Sequence, residues 1–273
     1  MMNEFIEPPS DEAEAFLSAL RAEGNKNTDG KCPDCKGHGS WTDENGKAVL
    51  CHCLKNQMWR EKYATAGIPP KYFGKTLDEK WNLKQDAWGE DLKPADLNRK
   101  NMVKQLLNKY IKALPAICAG IPLKIIPTHG MTINVTNILL VGGAGSGKSL
   151  IAACAAQEAI QQTLTVQYFD YSELYHDLSS FDSRDKQDII ANAFEHKDFI
   201  VIDGLTYYEI RNPVLAVQLD RVARARQRSG KPTLITSYRD YDKIDAGPGW
   251  KSMLSTSFTF RLPTQLPPRQ INA

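Results

Sequence analysis

The stretch Gly142-Gly143-Ala144-Gly145-Ser146-Gly147-Lys148-Ser149 sets a lysine and a hydroxyl directly behind a run of closely spaced glycines. It follows the apolar run 138–141 and precedes a helical pattern, which is the context the spacing G-x-x-x-x-G-K-[ST] requires. Glycines let successive backbone N–H groups turn inward, and the N-terminus of the next helix adds a favourable dipole, so such a loop cradles phosphate oxygens. Lys148 then reaches the β- and γ-phosphates, Ser149 offers its hydroxyl to Mg²⁺, and Leu150 continues the first helical turn behind them. Asp203 closes the apolar run 199–202 at the carboxyl end of an expected strand, where ligands sit in open α/β sheets. It is the candidate second residue on the magnesium side and, with Lys148, the candidate catalytic pair; the plainer alternative is a strand-end aspartate capping a turn. Gly204 is discordant, because the water that attacks a γ-phosphate is positioned by a polar or acidic side chain. Glu209 is an acid five residues beyond Gly204 that could fold back. ATP with Mg²⁺ is therefore the expected ligand, and its cleavage is not secured by these residues.

A second group of reactive side chains lies nearer the start. Cys32-Pro-Asp-Cys35 and Cys51-His52-Cys53 bracket the segment KGHGSWTDENGKAVL. Two thiolates from a tight turn and two from a returning segment can enclose one tetrahedral Zn²⁺, and the intervening glycines supply the reversals. The second pair is C-x-C, so His38 or His52 is an alternative ligand. Reduced cysteines in a small loop-rich module are the other reading, disfavoured because so short a segment has little core without a metal. Cys118 and Cys154 read as ordinary buried thiols.

These residues need a scaffold, and the pattern of apolar runs describes one. A short amphipathic helix is expected at 10–23, a helix after Cys53 closed by Gly67, and a long helix over 95–119 that Pro115 ends or kinks. The segment GIPLKIIPTHGMTINVT reads as a loop. From Asn137 onward, short β-branched runs (NILLVG, LTVQYFD, DFIVID and PTLITS) alternate with helices near 148–162, 172–179, 184–196 and 213–229. That alternation predicts an α/β fold with a parallel sheet covered on both faces. The expected organisation is an acidic arm (1–30), a zinc-binding module with its helix (31–67), a linker (68–94) and an ATP-binding domain (95–273).

The bulk composition agrees with a water-soluble chain: 273 residues, 42% apolar and 24% charged. No run is long enough to span a bilayer and no secretory signal is visible, so the expected location is the cytoplasm, without a membrane partner. The net charge of +2 excludes a general polyanion binder, but the charge is uneven. Residues 1–30 sum to −5 (seven acids, two bases) and residues 211–239 to +6 (seven bases, one acid). Within the latter, Arg221, Arg224 and Arg228 share one helical face, opposite a stripe of Leu215, Leu219 and Val222. This ridge suits phosphates of single-stranded DNA through counterion release. A solvated helix face, or a contact to a neighbouring protomer's nucleotide, are the alternatives.

The order of parts resembles the DnaC/DnaI/IstB-like AAA+ ATPases, and most closely the zinc-bearing replicative helicase loaders of bacteria and their phages. The residues that carry the resemblance are the C-x-x-C-x-G-x-G and C-x-C module, AGIPPKYFGKTL, the phosphate loop and KPTLITS. The resemblance implies an AAA+ core and a zinc region that docks on a hexameric replicative helicase. It also implies self-association through AAA+ domains and single-stranded DNA bound by the core. By the same resemblance Lys148 and Ser149 fall in Walker A and Asp203 in Walker B. Gly204 replaces the Walker B glutamate, Tyr238 the sensor asparagine, and Met253 stands about where an arginine finger is expected, with Lys251 or Arg261 as substitutes. All three departures touch hydrolysis and none touches phosphate binding, which implies a loader whose ATP is chiefly an assembly ligand. An IstB-like transposition helper and a non-hydrolysing adaptor or inhibitor of the helicase are the alternatives.

Overall fold

The cysteine-bearing segment folds on a short antiparallel hairpin, β1 (Ser40–Thr42) and β2 (Ala48–Leu50), with Ser40 opposite Leu50 and Thr42 opposite Ala48. The Asp43 carboxylate closes the turn by accepting the N–H groups of Asn45 and Lys47, each at 2.9 Å. Such local acceptance by an aspartate is what makes DENGK a turn rather than a continuing strand. Helix α1 (His52–Thr65) starts within the second cysteine pair. The computed structural model describes residues 32, 34–77, 91, 93–125, 132–179, 184–205, 213–240 and 247–262. The expected helix at 10–23, most of the expected linker, and Glu209 lie outside them. Two compact units divide the chain, residues 1–62 and 63–273.

In the second unit, α2 (Pro94–Cys118) opens with proline at its first helical position, where a missing N–H costs nothing. Pro115 was expected to end or kink this helix, but the helix runs three residues past it. A proline deprives the carbonyl four residues earlier of its donor. Here that carbonyl belongs to Ile111, and the side-chain amide of Gln162 donates to it at 3.2 Å. The segment expected to be a loop instead contains an antiparallel pair, β3 (Leu123–Ile125) and β4 (Ile133–Val135). Its apolar residues do alternate, but over runs too short to register beside the prolines.

The main sheet has five parallel strands in the order β6-β7-β8-β5-β9: β5 (Ile138–Val141), β6 (Val166–Asp170), β7 (Phe199–Leu205), β8 (Thr233–Ser237) and β9 (Phe258–Arg261). The sequence pattern ended at β8; β9 is the missed strand, since FTFR is brief and carries a threonine and an arginine. β5 therefore lies inside the sheet, paired with β8 and β9, at the point where the chain order reverses. Crevices for ligands open there, beyond the carboxyl ends of the strands.

Between the strands run α3 (Lys148–Gln161), α4 (Tyr171–Ser179), α5 (Arg184–His196), α6 (Pro213–Ser229) and α7 (Gly247–Ser255). Strand residues alternate faces, so Leu139, Ile200, Ile202 and Ile235 pack with Leu174, Phe194, Leu219 and Trp250 from α4 to α7. The other face is covered by α3, buried along Ile151–Ala156, and by α2, whose Tyr110 ring lies 6.5 Å from that of Phe199. Arg226 of α6 is buried at 1% exposure. It donates to the carbonyls of Phe194, Lys197, Asp198 and Pro232 and to the Thr233 hydroxyl. Burial pulls its pKa down to about 10, opposed by Tyr110, Cys118 and Asp198. Among the described residues no helix is long and apolar enough to cross a membrane.

Candidate functional site

The loop between β5 and α3 holds residues 142–147, and its last glycine, Gly147, takes a left-handed φ of 87° to start the helix. A side chain there would be strained, which explains the glycine immediately before Lys148. Lys148 is buried at 5% exposure, and its Nζ donates to the carbonyls of Gly142 and Gly143, both at 2.7 Å, and to the Ser146 hydroxyl at 3.3 Å. The Tyr238 ring covers the same ammonium, 4.2 Å from centroid to nitrogen. Burial lowers the Lys148 pKa to about 8, with the Asp203 carboxylate opposing. Gly145, Ser146 and Leu150 complete the loop and the first helical turn, with Ala144 at the loop's tip.

Asp203 faces this loop from β7. Its Oδ1 accepts from the Ser149 hydroxyl at 3.0 Å and from Thr236 Oγ1 at 2.5 Å, and its Oδ2 accepts from the Tyr168 phenol at 2.8 Å. The structure thus brings Ser149 and Asp203 together. A hydroxyl and a carboxylate in contact are hard oxygen donors of the kind Mg²⁺ takes. Nothing in the sequence marks Tyr168 or Thr236 as a site residue. Tyr168 reads as a core aromatic in the sequence, and only the pairing of β6 with β7 turns its phenol toward Asp203.

Gly204 sits in a β-bulge. The ladder between β7 and β8 pairs Ile202 with Ile235 and then Leu205 with Ser237, so Asp203 and Gly204 together oppose Thr236. The Gly204 N–H donates to Thr236 Oγ1 at 2.7 Å, and its φ is 78°. A Cβ would meet nothing within 4 Å, so space does not oppose a side chain here, whereas the left-handed backbone would strain one. Met253 is fully buried in the core beside Trp250, which removes it from any contact with another molecule. Arg261 is exposed and paired to Asp240 at 2.9 Å, and Lys251 is exposed on α7.

A family profile described as IstB-like ATP binding protein matches residues 123–255, the span from β3 to the end of α7. The fold is similar to the crystal structure of the DnaC helicase loader, with 13% identity, a TM-score of 0.50, and coverage of 71% of this chain and 99% of that one. The profile and the fold together support a DnaC/DnaI/IstB-like AAA+ core in this chain. DnaI is also similar to this chain (15% identity, TM-score 0.41, 69% of this chain and 92% of that one). So is AMPPCP-bound DnaA from Aquifex aeolicus (13%, 0.47, 67% and 51%). The match spans about half the length of the replication initiators. No curated protein sequence matches. The matched profile supports ATP binding by residues 123–255.

The four clustered cysteines meet in the first unit, where all four sulfurs lie within 4.8 Å of one another. Cys32 and Cys51 are 3.6 Å apart, and Cys35 and Cys53 3.5 Å. A tetrahedron with zinc–sulfur bonds of about 2.3 Å has edges near 3.8 Å, whereas a disulfide needs about 2.05 Å. The spacing suits a metal tetrad better than a disulfide. Burial pushes Cys35 up, but the backbone of Gly39, the Cys53 thiol and the backbone of Gly37 outweigh it, leaving its pKa at about 6. Burial and the neighbouring Cys35 push Cys53 up to about 12. His52 turns to Asp34, with Nδ1 3.0 Å from the carboxylate and 3.7 Å from the Cys51 sulfur. It stands beside the tetrad, and a second ligand grouping of Cys32, Asp34, Cys51 and His52 is geometrically open.

The arginine ridge is exposed on α6, while Leu219 and Val222 are buried beneath it. Two of its members carry acids: Arg221 lies 3.8 Å from Asp188 and Arg224 2.5 Å from Asp220. Each such pair reduces the charge that the ridge presents to a phosphate.

Proposed function

We propose that this protein is an ATP-dependent loader that binds a hexameric replicative helicase through its cysteine module and delivers it to single-stranded DNA. The observation that carries this reading is the cysteine tetrad standing on the same chain as a DnaC-like AAA+ core, because IstB-type helpers usually lack such a module. Cys32, Cys35, Cys51 and Cys53 hold a structural Zn²⁺; with four protein ligands the site is closed and its contribution is to folding. ATP lies in residues 142–150, with Lys148 on its phosphates and Ser149 and Asp203 on the magnesium side. The metal, when bound, neutralises phosphate charge. ATP acts as the ligand that drives assembly of neighbouring AAA+ domains, and its turnover is slow. The bulged Gly204, the Tyr238 ring on Lys148 and the burial of Met253 all support that view. Single-stranded DNA runs along the core, with Arg228 the member of the α6 ridge that pairs with no acid among the described residues.

A second reading, an IstB-like transposition helper, is favoured by the family profile that matches the core. Mixing the full chain with its replicative helicase, with and without ATP, and sizing the products separates the two. A stable, ATP-strengthened complex that then activates the helicase on protein-coated single-stranded DNA supports the loader. A complex that inhibits the helicase supports an adaptor or inhibitor, and no complex supports the transposition helper.

A further inference from the structure

Tyr168 makes specific contacts with both its side chain and its main chain. The side chain is buried at 3% exposure and its phenol donates to Asp203 Oδ2 at 2.8 Å. The main chain belongs to β6, an edge strand, and its N–H donates to the carbonyl of Ala66 at 2.7 Å. Gly67 follows with a φ of 80°, and a Cβ on it would lie 2.6 Å from the Tyr168 carbonyl oxygen. The segment that passes here is AGIPPKYFGK, and the edge of β6 fixes its start.

The rest of that segment is tied to α3, the helix whose first turn carries Lys148 and Ser149. The buried Gln157 side chain accepts the Gly74 N–H at 2.8 Å and donates to the Tyr72 carbonyl at 2.9 Å. Cys154 donates to the Lys75 carbonyl at 3.3 Å. A buried amide with both ends engaged is costly to leave unpaired, so it specifies one placement of the segment along α3. In the chain this segment directly follows α1, which begins between Cys51 and Cys53.

A phenylalanine at 168 would fill the same core space; the hydroxyl adds the bond to Asp203. When Ser149 turns toward a metal, Thr236 and Tyr168 are the groups that still orient the carboxylate. We infer that Tyr168 is a positioning residue for Asp203, and that the segment Ala66–Lys75 sets where Tyr168 stands, so the placement of this segment regulates how the magnesium nucleotide is held. The inference rests on the proposed reading of Asp203 as the magnesium-side carboxylate.

The test is binding of a fluorescent ATP analogue to the full chain, titrated with Mg²⁺ and also measured without it. Tyr168→Phe is expected to raise the Mg²⁺ concentration for half-maximal tightening about five- to tenfold, the factor for a typical net hydrogen bond of about 1–1.4 kcal/mol. Metal-free affinity stays within about twofold, which a general loss of structure would not allow. Gly67→Ala shifts the Mg²⁺ half-point in the same direction but adds less than about twofold on top of Tyr168→Phe, because both act through one contact. Should Gly67→Ala fail to fold, Gln157→Ala loosens the same segment and is held to the same outcome. An unchanged half-point in Tyr168→Phe, or segment and Tyr168 effects that multiply, overturns the inference. Wild-type protein that binds the analogue without any Mg²⁺ dependence also overturns it while leaving ATP binding intact. Wild-type protein that binds no analogue overturns the proposed function itself.

Discussion

The face of Tyr238 lies on the ammonium of Lys148, 4.2 Å from ring centroid to nitrogen, although the two residues stand on different chain segments beyond β8 and β5. An aromatic face attracts a cation but cannot orient a water as an amide can. Tyr238→Asn alone is therefore expected to leave ATP turnover within about twofold of wild type, since position 204 still offers no side chain. Gly204→Glu alone also fails to restore turnover, because its backbone is left-handed, and it lowers stability by about 1–2 kcal/mol. Phosphate release and thermal melts of the two variants check both statements.

The cysteine tetrad predicts one zinc ion per chain. Cys51→Ser is expected to cut bound zinc to below about 0.2 per chain, as loss of one of four thiolates does in structural sites. Chelation of the wild-type protein should unfold the segment around β1 and β2 while ATP-analogue binding persists, because the phosphate loop lies in the other unit. Elemental analysis and binding before and after chelation decide this.

Arg226 is a buried cation whose donors satisfy four carbonyls and a hydroxyl. Arg226→Ala leaves those acceptors without partners and is expected to cost about 3–5 kcal/mol in denaturant unfolding. Arg226→Lys recovers less than half of that, because a point ammonium cannot reproduce the planar fork.

Asp220 accepts from Arg224 and from the Gly249 N–H at the start of α7, and a Cβ on Gly249 would collide with it at 2.5 Å. The hydrogen bond from Arg224 holds its carboxyl below the usual 3.8; burial opposes this and the Gly249 N–H reinforces it. A carboxyl with a lowered folded pKa stabilises the fold above its unfolded pKa and loses that contribution as pH falls through the folded value. Asp220→Asn should thus melt lower than wild type at pH 7, by on the order of 1 kcal/mol, with the gap closing as pH falls below the ordinary carboxyl range. Melts across pH 2.5–7 test the sign (on the scale of about one exposed ion pair).

Much of the scaffold was legible because α/β cores write their periods plainly. The bounds of α5 and α6 and the ends of β5 to β8 fall within a few residues of the apolar runs that predicted them. The phosphate loop was legible for a different reason, since its chemistry needs contiguous residues. What the sequence hid are relations across the sheet. The hydroxyls of Tyr168 and Thr236 reach Asp203 only through strand register, and the bulge at Gly204 exists only relative to β8. Seen along the chain, glycine at 204 is a missing acid; in the structure it is also a turn of the backbone. The arginine ridge looked uniformly free for the same reason, as its partner Asp188 comes from α5.

The bond from Gln162 to the carbonyl that Pro115 strands also constrains how this protein can diverge. It pins the end of α2 to the end of the phosphate-loop helix, so a residue inserted within either helix would move one half of the clasp away from the other. The chain from Cys118 to β5 is under no such rule, and lengthening a loop costs only a slowly growing entropy. Length variation among descendants of this chain should collect between Cys118 and β5, and be absent from the two clasped helices.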